Sequence, residues 1–126
     1  MTISFFNPDE VPQPKEKIKI EHFAVNVQPD RRRVQVTINV TPFLVRPNLA
    51  VVLLRDTGAD SVFVGDMTII ETMHNKMEFM MHVRGADDPA GNYILRTRLY
   101  FEEGVHQPYD EAELAFEIPT KPAEDD

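Results

Sequence analysis

The chain has 126 residues, of which 27% are charged and none is cysteine, and its formal net charge is −8. A chain of this length is expected to form one domain around its own core. The lack of cysteine excludes disulfide bonds, thiolate metal sites and a cysteine nucleophile. The acidic balance disfavours nucleic acid and membrane surfaces as partners.

The first segment, residues 1–17, is rich in proline and is predicted to form an extended leader, because proline interrupts both helices and central strands. Ile3, Phe5 and Phe6 stand out in this leader. Adjacent large apolar residues are unusual in a disordered tail, so we expect these three to dock on the body of the protein or on another subunit. The leader has neither the features of a signal peptide nor a membrane-spanning length of apolar residues. A cytoplasmic location is therefore predicted, with secretion left open.

Residues 18–118 show the pattern of an all-β domain, in which turn signals recur and apolar residues alternate with polar ones. The segment 49–54 is apolar on both faces, which indicates a strand that is covered on both sides or lies at the centre of a sheet. Residues 119–126 form an acidic tail, which is predicted to be flexible. The predicted strands outside the segment 67–83 are 18–27, 34–40, 49–54, 61–64, 92–102 and 112–118.

The segment 67–83 supports two interpretations. In a helix, its isoleucines and methionines would recur every three or four residues. In a β-hairpin, Thr68–Met73 and Met77–Val83 would be strands joined by a turn at Asn75 and Lys76. The hairpin agrees better with the strand-like neighbours, and no N-cap with a hydrophobic staple is available to start a helix.

The sequence Asp88-Pro89-Ala90-Gly91-Asn92-Tyr93-Ile94-Leu95 resembles the loop that enters the penultimate strand of immunoglobulin-like and fibronectin type III-like domains. In those domains a Gly-x-Tyr step forms a tyrosine corner, whose hydroxyl bonds to the backbone a few residues upstream. The resemblance implies that Gly91, Tyr93 and Leu95 are structural, with Leu95 in the core where antibody domains carry cysteine. The implied fold is an immunoglobulin-like antiparallel β-sandwich of about seven or eight strands, similar to the disulfide-free bacterial versions.

Two further features are candidate interaction residues. Arg31, Arg32 and Arg33 follow a turn, where they form either a solvated hairpin tip or a tip that binds an anion or a partner. Met80 would point outward from the hairpin at an exposed sheet edge, where another chain could pair.

The sequence also contains candidate metal ligands, which suggest metal binding as an alternative to protein interaction. His74, Glu78 and His82 would line one face of a helix at spacings of four residues, which suits zinc. In a strand, four residues span about 13 Å, too far for one ion to bridge. Aspartate pairs in two loops, Asp56 with Asp60 and Asp87 with Asp88, are candidate calcium ligands, although turn formation also explains them.

No catalytic motif or cofactor motif is present, since the chain lacks a serine elbow and a glycine-rich phosphate loop. The sequence therefore predicts a non-enzymatic protein-interaction or structural module without cofactors. Its predicted partner is a protein, either another protein or a second copy in a homodimer. The alternative is a β-sandwich that binds a small ligand, zinc or calcium.

Overall fold

The computed structural model describes residues 11–84, 87–101 and 108–121. The three-stranded sheet has the order β1-β2-β5 and the four-stranded sheet the order β4-β3-β6-β7, with antiparallel pairing throughout. The predicted immunoglobulin-like β-sandwich is confirmed. In the described part of the chain, no helix is long and apolar enough to cross a membrane. The strands are β1 (Ile20–Val27), β2 (Arg33–Val40), β3 (Asn48–Asp56), β4 (Ser61–Ile69), β5 (Lys76–His82), β6 (Gly91–Tyr100) and β7 (Asp110–Ile118).

The core forms because alternate residues of each strand point to the same face of a sheet. Strand β6 shows this alternation clearly, since the residues on its inward face are all buried: Tyr93, Leu95, Thr97, Leu99 and, just after the strand, Phe101. The same alternation buries the inward valines and isoleucine of β2 completely. Phe116 of β7 stacks on the ring of Tyr93 with centroids 5.5 Å apart. The two sheets thus meet across one continuous apolar layer.

The position of β4 distinguishes this sandwich from the constant immunoglobulin arrangement, in which the fourth strand joins the sheet of the first, second and fifth. Here β4 pairs with β3 in the other sheet. As a result β5 lies at an edge of the three-stranded sheet. One side of the sandwich is therefore flanked by the edges of β4 and β5.

The hairpin predicted for residues 67–83 is right about its second strand. It is wrong about its first strand, since β4 ends at Ile69 and not at Met73, and it is wrong about the pairing. The helix is absent, and Lys76–His82 is a strand. The favoured hairpin is also absent, because β4 pairs with β3 whereas β5 pairs with β2. The chain crosses from one sheet to the other between Ile69 and Lys76. Local periodicity cannot distinguish this crossing from a hairpin turn, because both require only a break between two strands.

β4 contains a β-bulge and continues beyond its predicted end. Leu53 pairs with Gly65 and Leu54 pairs with Phe63, which leaves Val64 as the extra residue. The predicted end of this strand at residue 64 is therefore wrong, and the strand continues to Ile69. A bulge shifts the alternation of side chains by one residue. It places Phe63, with 61% of its surface exposed, on the outer face of the sheet.

The described part of the predicted leader contacts the body of the protein. Gln13 forms a parallel bridge with Phe43, in which its amide donates to the carbonyl of Pro42 at 2.8 Å. Lys15–Lys17 forms a single 3-10 turn rather than extended chain. Ile18 then enters the core and is 1% exposed.

Thr97 is a polar residue in the middle of the apolar layer. It is 1% exposed, and its Oγ1 has no hydrogen-bond partner among the described residues. A buried hydroxyl without a partner costs about 1–3 kcal/mol. We therefore expect Thr97→Val, which keeps the shape of the side chain, to raise the free energy of unfolding by about 1 kcal/mol. Urea unfolding measures this, with the exposed Thr68→Val as the control; equal changes in both variants would contradict the explanation.

Candidate functional site

The predicted arginine tip lies in the turn between β1 and β2. Arg31 has a φ of 61°, and its guanidinium donates to the carboxylate of Asp88 at 3.1 Å and to the carbonyl of Pro119 at 3.2 Å. Arg32 donates to the carbonyl of Asp87 at 2.6 Å. These contacts hold the loop before β6 and the chain after β7 against the end of the sandwich.

Arg33, the third arginine of the tip, forms an ion pair with Asp30 at 2.8 Å, in which both side chains are 43% exposed. The backbone amide of Arg32 is the main cause that lowers the pKa of Asp30. The pKa of Asp88 is also lowered, chiefly by the amide of Ala90. Both carboxylates are therefore charged at neutral pH and available to the arginines beside them.

The residues of the predicted tyrosine corner lie next to this tip. Tyr93 is fully buried and its hydroxyl donates to the carbonyl of Pro89 at 2.5 Å, which is the hydrogen bond that a tyrosine corner requires. The guanidinium of Arg55 lies 5.6 Å from the centre of the Tyr93 ring and donates to the carbonyl of Ala90. Gly91 has a φ of 143°, and a Cβ there would lie 3.3 Å from Arg55. A side chain at this position would strain the backbone and displace Arg55.

The candidate zinc ligands are spread along β5 and the segment before it. Glu78 and His82 both lie on the exposed side of the strand, four residues and thus about 13 Å apart. The carboxylate of Glu78 accepts a hydrogen bond from the side chain of Gln35. His74 precedes the strand. The described residues contain no group of three or more histidine, aspartate or glutamate side chains that could share an ion.

The candidate calcium aspartates form hydrogen bonds within their own turns. The carboxylate of Asp56 accepts the amide of Gly58 at 2.9 Å, and that of Asp60 accepts the amide of Ser61 at 3.1 Å. The carboxylate of Asp88 likewise accepts the amide of Ala90 at 3.0 Å. Each of these contacts is the local turn closure that aspartate provides.

The leader residues Ile3, Phe5 and Phe6 lie outside the described residues. Met80 is on β5 and is 38% exposed. Its strand is an edge strand, because among the described residues only β2 pairs with it. Met80 therefore occupies the sheet edge that the sequence predicted for it, although the edge arises from the crossing between sheets and not from a hairpin.

An apolar row that the sequence analysis missed crosses the outer face of the four-stranded sheet. We call it the outer row. Register places its members side by side, since Leu54 is opposite both Phe63 and Ile94, and Ile94 is opposite Ala115. Phe63 and Ala115 are exposed, and Leu54 and Ile94 are partly exposed. Val52 of β3 extends the apolar surface beside the row.

Charged residues of both signs flank the outer row on the same face. In the next register position, Val52 lies between Asp66 and Arg96, and Arg96 pairs with Glu113 through a hydrogen-bonded ion pair. Arg98 lies opposite Glu111 one position further along. The rim therefore has no single sign of charge.

The sequence did contain the signal for this row. Residues 49–54 are apolar on both faces, and β3 does lie at the centre of its sheet. One apolar face of β3 is buried in the core. The residues of its other face, Val52 and Leu54, lie on the outer surface of the sheet and are partly exposed. Phe63 could not be placed there, because its orientation depends on the bulge at Val64.

Comparisons with known proteins support the fold. No protein-family model matches the sequence, and neither does any curated protein. Among solved structures, a glycosyl hydrolase family 2 member from Bacteroides cellulosilyticus DSM 14838 is similar, with a TM-score of 0.50 and 13% sequence identity. The match covers 80% of this chain and 15% of that chain, so the chain spans a small part of that protein's length. At this identity the similarity concerns the fold alone.

Proposed function

We propose that this chain is a non-enzymatic protein-interaction module that associates with a second copy of itself through the outer row. The observation that carries the proposal is the continuous apolar row, in which Phe63, Leu54 and Ile94 face solvent across three adjacent strands. An apolar patch surrounded by polar residues is typical of a protein interface. Its aromatic member, Phe63, is 61% exposed and is the natural anchor.

The charges support a second copy as the partner. A rim of one sign would call for a partner of the opposite sign, whereas Arg96, Glu113 and Asp66 give this rim both signs. The same surface can therefore meet itself across a two-fold axis. Because each copy carries a net charge of −8, two copies repel at long range. Added salt screens that repulsion and should strengthen the association, whereas salt weakens complexes driven by opposite charge.

The most direct variant is Phe63→Lys, which introduces a charge at the centre of the proposed interface twice per dimer. We expect it to weaken self-association by at least about tenfold, the effect of losing a moderate interface anchor. Sedimentation velocity over a range of protein concentrations measures the dissociation constant. Phe63 is largely exposed in one copy, so the variant should keep the unfolding midpoint of the parent.

The neighbouring Val62→Lys is the matched control. Val62 is 52% exposed on the same strand, but it pairs with Arg55 and lies outside the outer row. We expect this variant to self-associate like the parent. The proposal is wrong if the parent stays monomeric up to about 1 mM, a concentration at which even weak dimers form, or if both variants weaken association equally.

We also propose that the domain is related to the disulfide-free bacterial immunoglobulin-like sandwiches. The lack of cysteine and of tryptophan supports this kinship, as does the tyrosine-corner contact between Tyr93 and Pro89. Such a domain relies on packing and on the hydrogen bonds at its end instead of a disulfide between the sheets.

A further inference from the structure

The outer edge of β5 presents a row of backbone groups that can bind another strand. Two hydrogen bonds with β2 fix the alternation: the amide of Val83 donates to the carbonyl of Arg32, and the amide of Val40 donates to the carbonyl of Asn75. The odd-numbered residues of β5 therefore direct their backbone groups toward β2, and the even-numbered ones, such as Met80, direct theirs to the other side. Within the described ranges, no strand pairs with that side.

β5 differs from the other three edge strands because it is both regular and open. β4 contains the bulge at Val64, and a bulge makes an edge less suitable for pairing. β1 and β7 contact each other at the opposite side of the sandwich, where the amide of Ile20 donates to the carboxylate of Asp110 at 2.8 Å. β5 contains no proline and pairs with β2 without a shift in register. Among the described strands, it is therefore the edge best suited to the addition of a strand.

An apolar groove runs beside this edge, between β5 and the edge of β4. One part, of about 390 Å³, is lined by residues that include Met67 and Met81. The adjoining part, of about 330 Å³, is lined by Met67 again, with Ile69 and Phe79 among others. Met67, Ile69 and Phe79 are only partly buried, so a strand added to β5 would bury them further. Because successive side chains of a strand point to opposite faces, alternate residues of the added strand would enter the groove.

An exposed basic residue lies at each end of this edge, Lys76 at the start of β5 and Arg84 just after its end. Neither forms an ion pair with another described residue. The one carboxylate between them in the sequence, that of Glu78, accepts a hydrogen bond from the side chain of Gln35. Asp66 also lines the groove, but it lies on the outer face of the four-stranded sheet. The two cations therefore favour carboxylates at the two ends of an added strand.

We propose that the outer edge of β5 binds an extended peptide segment of another protein by strand addition. The segment has apolar residues at alternate positions and an acidic residue at each end. The backbone groups of the edge select an extended segment, the groove selects the apolar side chains, and Lys76 and Arg84 select the acidic ends. Because these two cations are separated by about 27 Å of strand, the segment has about nine residues. The edge belongs to the other sheet from the outer row, so the proposal does not rest on self-association.

An NMR titration of the full chain with a designed peptide tests this proposal. The probe is the capped peptide Glu-Val-Thr-Val-Thr-Val-Thr-Val-Glu, whose side-chain pattern is the same in both strand directions. We expect the amide signals of Glu78 and Met80 to shift and to saturate with a dissociation constant below about 1 mM. The amide of Phe79 faces β2, and Leu54 and Ile94 lie on the other sheet, so their signals should shift much less.

Two control peptides separate the contributions of charge and backbone. Lysine in place of both glutamates should weaken binding about tenfold at low ionic strength, because two attractive charge pairs become repulsive. Proline in place of the central threonine should remove the saturable shifts, because proline lacks the amide that would donate to β5.

The double variant Lys76→Glu with Arg84→Glu tests the protein side of the same contacts. We expect it to reverse the preference, so that the lysine-ended peptide binds about tenfold more tightly than the glutamate-ended one. Both positions are exposed, so the variant should keep the unfolding midpoint of the parent. The matched control is Lys17→Glu with Arg98→Glu, which changes the net charge by the same amount away from β5 and should keep the preference of the parent.

Three results would overturn the proposal. The first is the absence of shifts at Glu78 and Met80 with about 1 mM of the glutamate-ended peptide. The second is equal binding of this peptide and its proline version. The third is an unchanged preference in the charge-swapped variant. Phe63→Lys separates the two proposals, since it removes self-association through the outer row and should leave peptide binding as in the parent.

Discussion

Replacing Leu95 with alanine is expected to lower the free energy of unfolding by about 2–5 kcal/mol. Leu95 is fully buried on β6 and lies between Leu53 and Leu114 in the register of the four-stranded sheet. The change removes buried apolar surface and leaves a cavity that β-strands cannot close by moving, because both neighbours are fixed by hydrogen bonds. Urea unfolding followed by circular dichroism measures the loss.

Leu44→Ala provides the control for this prediction, because Leu44 is 68% exposed in the loop after β2. Surface changes of this kind stay within about 0.5 kcal/mol of the parent. A loss below about 1 kcal/mol in the Leu95 variant would show that the position is not a packed core site.

Tyr93→Phe should cost about 1–3 kcal/mol of the free energy of unfolding. The ring keeps its stack on Phe116 and its place under Arg55, so the change removes only the hydroxyl. The carbonyl of Pro89, a buried residue, then loses the donor that closes the end of the sandwich. Tyr100→Phe, on the partly exposed outer side of the same strand, should change stability by less than about 0.5 kcal/mol.

Alkaline pH gives the same hydroxyl a second test. Burial raises the pKa of Tyr93 above its ordinary value of 10.0. At a pH above 10 the unfolded chain loses this proton while the folded chain keeps it, so stability is full below pH 10 and falls as the pH rises further. The parent should therefore lose more stability than Tyr93→Phe between pH 9.5 and about 11. Parallel curves for the two proteins would mean that the hydroxyl is not buried.

The sequence was sufficient where the structure depends on local alternation. The inward faces of β2, β6 and β7 follow directly from residues two apart, and burial confirms them. The tyrosine corner at Gly91 and Tyr93 could also be predicted from neighbouring residues alone, because the Tyr93 hydroxyl donates to a carbonyl only four residues upstream. The class of fold follows from several such local patterns that agree.

Long-range pairing could not be predicted in the same way. The strands on either side of residues 70–75 belong to different sheets, and nothing in their composition distinguishes a crossing from a hairpin. The bulge at Val64 is equally invisible, yet it decides the orientation of Phe63. The outer row is assembled from four strands, so only the register reveals it.

The arginine tip shows how a sequence feature acquires a role from distant residues. Three adjacent arginines suggested a solvated tip or a binding tip. Arg31 instead contacts Asp88 and Pro119, which lie more than 50 residues further along the chain. In the folded chain, a carboxylate and backbone carbonyls of distant residues accept hydrogen bonds from the guanidinium groups of the tip. The tip therefore stabilises the end of the sandwich at which the tyrosine corner lies.

The central claim is that the outer row is a surface for self-association, and methyl NMR signals across a dilution series test it most directly. We expect the methyl signals of Leu54 and Ile94 to shift with protein concentration, while those of the buried Leu95 and Ile118 stay constant. Signals of Leu54 and Ile94 that do not change with concentration, or shifts confined to Met80 on the opposite sheet, would contradict the claim.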